Sequence, residues 1–131
     1  MTEILISIQP KWVKKIFDLS KRWEMRKNIP AREGPFRVLI YQTEGGGVVG
    51  EFTCCEFVGI GPGEITKRVL TDTMLTEEEA LEYAKGSMVY LWSIRSLIIY
   101  PEPKPLENFG MDRPPQSWCY VKGGDPDGSG A

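Results

Sequence analysis

Proline and glycine, 10 and 14 of the 131 residues, cut this sequence into short β-rich runs that two helical stretches interrupt without regular alternation. That order of elements narrows the choice of fold. Residues 3–8 (EILISI) read as a strand, and Pro10 then suits the first turn of a helix, where its missing N–H costs nothing. From 10 to 19, Trp12, Val13, Ile16 and Phe17 fall at helical spacing, with Lys11, Lys14, Lys15 and Asp18 on the other face. Residues 28–35 form a loop, and the largely apolar run 36–43 reads as a central strand. A glycine-rich turn leads by a hairpin to a second long strand, 48–60, in which Gly50 predicts a bulge or a close backbone approach. The stretch 64–86 reads as mainly helical, with a capping box at Thr76 and Glu79. The longest β-rich run, 87–100, is expected to bend near Ser93 or Ser96. Pro101, Pro103 and Pro105 predict an exposed extended connection after it, and 113–121 closes the fold. The fold class is therefore α+β, either a small mixed β-barrel or a roll, in one domain over residues 1–121. Residues 122–131 read as a disordered tail or an appended remnant.

Several functions are excluded by composition. The sequence has no histidine, which removes the commonest general base and metal ligand. Its three cysteines, Cys54, Cys55 and Cys119, make neither a disulfide framework nor a metal quartet. Neither metal nor cofactor is expected. EGGGVVGE lacks the Lys-Ser/Thr of a phosphate loop and leads into a strand. Apolar runs are too short to span a bilayer and no secretory pattern opens the chain, so a cytoplasmic, monomeric protein is expected. Net charge is −2, yet residues 11–37 hold nine basic and three acidic side chains, giving +6 there and −8 elsewhere. A phosphate-bearing partner would be steered to that region.

Within it lies LSKRWEMRK, residues 19–27. If 22–27 is extended, Trp23 and Met25 share one face while Arg22, Glu24 and Arg26 form a charged row on the other. Lys21 has the wrong parity for that row and joins Glu24 only from a turn before the strand.

These residues resemble the ASCH-domain signature Gly-x-Lys-x-x-Glu-x-Arg, with Lys21, Glu24 and Arg26 in register. The flanking ILISI, RVLIYQT, VVGEF, WSIRSLIIYPEPKPL and RPPQSWCYV segments are similar to those of small bacterial and phage members, so the resemblance covers residues 3–121. Two positions depart from the pattern: Leu19 stands where the motif has glycine, and Ser93 where many relatives have histidine after the tryptophan. The resemblance implies a PUA-like pseudo-barrel associated with RNA, with a groove beside the motif corner.

The simplest account of Lys21, Glu24 and Arg26 is an exposed ion-pair row worth up to about 1 kcal/mol. The resemblance favours ligand binding instead. Arg26 would bind a phosphate or base edge as a fork, Glu24 would accept from an exocyclic amine, and Lys21 would act as a point charge. Arg22, Trp92, Ser93 and Trp118 complete the expected site, the tryptophans as stacking platforms. The partner would be RNA, single-stranded nucleic acid, or a nucleotide or nucleoside. A second expectation is an amidohydrolase acting on an acetylated nucleoside such as N4-acetylcytidine, with Lys21 and Glu24 catalytic and Glu79 or Glu82 supplying a further carboxylate. The threonine that this branch places at Glu24 is missing. A third is an accessory domain that binds another protein through its acidic remainder.

Overall fold

The computed structural model describes residues 1–122. Its elements run β1 (Thr2–Ile8), α1 (Pro10–Phe17), β2 (Trp23–Arg26), β3 (Phe36–Gln42), β4 (Gly47–Cys54), β5 (Phe57–Ile60), α2 (Lys67–Thr73), α3 (Glu77–Ala84), β6 (Val89–Ser93), β7 (Arg95–Lys104) and β8 (Trp118–Tyr120). One sheet has the order β7-β4-β3-β1-β8 and a second the order β2-β6-β5. β1 and β3 pair in parallel across the connection that carries α1 and β2, while the remaining ladders are antiparallel. The class is α+β as the sequence pattern implies, with two separate sheets that do not close into a barrel. The expected tail lies, beyond Lys122, outside the described residues.

The five-stranded sheet is covered on both faces, which explains why β1 and β3 are nearly continuous apolar runs. Ile4, Ile6, Ile8, Val38 and Ile40 pack with Val13 and Ile16 of α1 and with Trp92 of β6. On the other face Leu5, Leu39 and Val48 meet Val121, Leu106, Phe109 and Met111. Val48 and Phe52 share strand parity yet enter different cores, because the register shifts between Val48 and Gly50. Gly50 meets both halves of its expectation, since a Cβ there would lie 2.6 Å from the Ile98 carbonyl. A third core joins Met25, Val89 and Leu91 of the small sheet to Ala80 and Ala84 of α3.

Two expectations need correction. Residues 48–60 are not one strand: the chain turns at Cys55 and Glu56, and β4 and β5 lie in different sheets. A side chain holds that corner, with the Ser93 hydroxyl accepting from the N–H groups of Cys55 and Glu56, both at 3.2 Å. The stretch 64–86 is mainly helical as expected, with α3 opening at the Thr76–Glu79 box and α2 ending before it at Met74, which adopts φ 62°. The prolines do not end β7, which runs through Pro101 and Pro103 to Lys104. A lost N–H is tolerated there because β7 is an edge strand. The bend near Ser93 and Ser96 is present, between β6 and β7.

Candidate functional site

The site begins at the end of α1. Leu19 N–H donates to the Ile16 carbonyl (3.1 Å) and Ser20 N–H to that of Lys15 (3.1 Å), a Schellman end in which Leu19 takes φ 70°. The motif glycine belongs at this left-handed position. The turn also carries Lys21, whose N–H reaches the Lys15 carbonyl at 2.9 Å, so Lys21 enters the row from outside the pleat.

Lys21 Nζ donates to the Thr73 carbonyl at the end of α2 (2.6 Å) and lies 3.2 Å from Glu24 Oε1. Arg26 Nε donates to Glu24 Oε2 (2.8 Å), Nη1 to the Ser117 hydroxyl (3.0 Å) and Nη2 to the Ser7 carbonyl (2.9 Å). The row is not the exposed ion-pair row of the simplest account, because Lys21 and Glu24 are only 3% and 6% exposed. Burial alone pushes the Glu24 carboxyl up, but the Lys21 and Arg26 charges outweigh it and hold the group below the ordinary carboxylate range. Glu24 is thus an ionised acceptor fixed between two cationic donors.

This row lines a cleft of about 620 Å³ between α1 and α3. Trp12, Met25, Leu75 and Tyr83 supply apolar lining; Ser7, Thr43 and Ser117 are among the polar contributors. Lys11 and Glu79, from opposite walls, meet across it at 3.2 Å. Hydrogen bonding from the Thr76 backbone and from Lys11 holds Glu79 below the usual range despite some desolvation. Three cations (Lys11, Lys21, Arg26) face three carboxylates (Glu24, Glu79, Glu82), so the expected basic groove is charge-balanced. Part of the basic segment leaves the cleft on folding, since Arg37 pairs with Glu3 and Glu51 and Arg32 lies over Tyr120, while Lys27 lies over Tyr83 of the cleft lining.

Four expected residues do not line the cleft. Arg22 is exposed, with its backbone bonded to Asp72 and Ile94. Trp92 is fully buried and its indole N–H goes to the Asn28 carbonyl. Trp118 donates to the Asn28 side chain (2.8 Å) and packs edge-on against Trp92. Ser93 is spent on the β4–β5 corner. The sequence reading did not place Trp12, Thr43, Tyr83 or Ser117 at the site. A row on one helix face, Glu79, Glu82 and Tyr83, was the available signal for the far wall.

No protein-family model and no curated protein matches the sequence. Solved structures do. ASCH from Zymomonas mobilis superposes with a TM-score of 0.81 at 23% identity, over 92% of this chain and 88% of that one. A serine-to-alanine mutant of it gives 0.81 and 23% over 92% and 89%, and a tyrosine-to-phenylalanine mutant 0.81 and 22% over 94% and 92%. The chain has the fold of the ASCH domain.

Proposed function

We propose that this ASCH-fold chain acts as a monomer that binds one nucleobase-bearing unit, a nucleoside, nucleotide or unpaired base of single-stranded RNA, over Lys21, Glu24 and Arg26. The observation that carries this reading is the ionised Glu24 held between two cations at the wall of a cleft that Trp12 and Tyr83 also line. Donor, acceptor and donor alternate in one row. Lys21 has three N–H groups and Arg26 five. Lys21 engages two groups and Arg26 three within the protein, so both retain donors for a ring carbonyl or nitrogen. Glu24 retains lone pairs for an exocyclic amine. The cleft is within the range typical of small-ligand sites, and its balanced charge offers no track for a duplex backbone.

Titration with the four ribonucleosides and with single-stranded hexanucleotides tests this. Saturable binding is expected, weakened about tenfold or more in Arg26→Lys, which keeps the charge but loses the fork. Absence of binding to the folded protein, or binding indifferent to both Arg26→Lys and Glu24→Gln, would overturn it.

The hydrolase reading has one observation in its favour: Lys21, the Thr43 hydroxyl and the Glu79 and Glu82 carboxylates line the same cleft. Thr43 offers the hydroxyl that residues near Glu24 lack. On N4-acetylcytidine, water would add to the amide carbonyl and the C–N bond would break to give cytidine and acetate. Cytidine released by the wild-type chain but not by Thr43→Val supports this reading; intact substrate after prolonged incubation retires it for that compound.

A further inference from the structure

The two walls of the cleft differ in charge. At the α1 wall, the ammonium groups of Lys11 and Lys21, which line the cleft, lie 4.5 and 5.0 Å from the Trp12 ring centroid, and that of Lys15, just outside the lining, lies 5.1 Å from it. Two of them are compensated, Lys11 by Glu79 and Lys21 by Glu24. Lys15 forms no ion pair among the described residues. Asp18, one turn on, accepts from the Ser20 backbone instead. Lys15 is thus the uncompensated cation beside the Trp12 ring, and an anion there neutralises it. The α3 wall presents Glu79 and Glu82 and rejects the same anion.

We propose that Trp12 with Lys11 and Lys15 forms a phosphate subsite at the α1 edge of the cleft, so that the ligand of the cleft is phosphorylated, with its phosphate toward α1 and its base toward Lys21, Glu24 and Arg26. This rests on the nucleobase reading and adds an orientation to it. The phosphate is either the monoester of a free nucleotide or a diester within an oligonucleotide. Arg26, committed to Glu24, Ser7 and Ser117, serves the base and not the phosphate.

The test titrates the full chain with cytidine, adenosine, their 5′- and 3′-monophosphates, a single-stranded hexanucleotide and inorganic phosphate, reading tryptophan fluorescence with Trp12→Phe to assign the signal. A monophosphate is expected to bind about tenfold more tightly than its nucleoside at about 50 mM salt, with the gap narrowing at about 300 mM. Lys15→Ala should shrink that gap to about twofold, while Lys14→Ala, an equal charge loss at an exposed position away from Trp12, should leave it. If only the hexanucleotide gains affinity, the phosphate recognised is the diester. Equal binding of nucleoside and nucleotide overturns the subsite while the base reading stands. Equal erosion by Lys14→Ala and Lys15→Ala also overturns it, since a diffuse field then accounts for the preference. No binding by any nucleoside, nucleotide or hexanucleotide overturns both.

Discussion

Glu24 keeps its charge in a buried position because two cations compensate it, and removing it leaves them uncompensated. Glu24→Gln is expected to destabilise the fold by about 3 kcal/mol, read by urea denaturation at neutral pH. The pH dependence follows from the lowered carboxyl. Its stabilisation is fully present above the ordinary glutamate value of 4.5 and is lost as pH falls through the lower folded value. Denaturation midpoints of the wild type should therefore drop below pH 4.5, and the part of that drop due to Glu24 should be absent in Glu24→Gln. Leu19 presents the opposite case, an L-residue at φ 70° that is 67% exposed. Leu19→Gly gives up little packing and removes a left-handed penalty, so thermal unfolding should report a gain of about 1 kcal/mol. The sequence exposed the identity of Lys21, Glu24 and Arg26 through their spacing. It did not expose their burial, which depends on Thr73, Ser7 and Ser117 arriving from distant segments.

Elements were legible where a local signal marks them. Pro10 opened α1, the Thr76–Glu79 box opened α3, and the apolar run 36–43 gave β3. The β4–β5 corner had no such mark, because a serine distant in sequence makes it. Ser93→Ala leaves the Cys55 and Glu56 N–H groups without that acceptor and is expected to cost about 2 kcal/mol in denaturant unfolding. Nucleoside affinity should not change, since Ser93 does not line the cleft. A loss of affinity at full stability would return Ser93 to the binding site. Trp92 and Trp118 belong to the same lesson: their indole N–H groups both converge on Asn28, so two aromatics expected as stacking platforms act as a clasp on the 28–35 loop.

At the level of the whole molecule, the cleft lies where the α1 side meets the small sheet and α3. Sequence charge predicted a basic face there, and folding pairs part of that charge with acids from other segments, Lys11 with Glu79 and Arg37 with Glu3 and Glu51. Arg26 spans this seam, rooted in β2 and bonded both to β1 at Ser7 and to Ser117 just before β8. A guanidinium so placed is a strut between two sheets that no shared ladder joins, and Arg26 also lines the cleft. Occupancy should then be felt at a distance. Saturating nucleotide is expected to slow amide hydrogen exchange at Ser7 and along β8, and Arg26→Lys should abolish that slowing; unchanged exchange at full occupancy would deny the coupling. The final strand would thereby act as a reporter of whether the cleft is full, transmitting occupancy as stiffness without any change of shape.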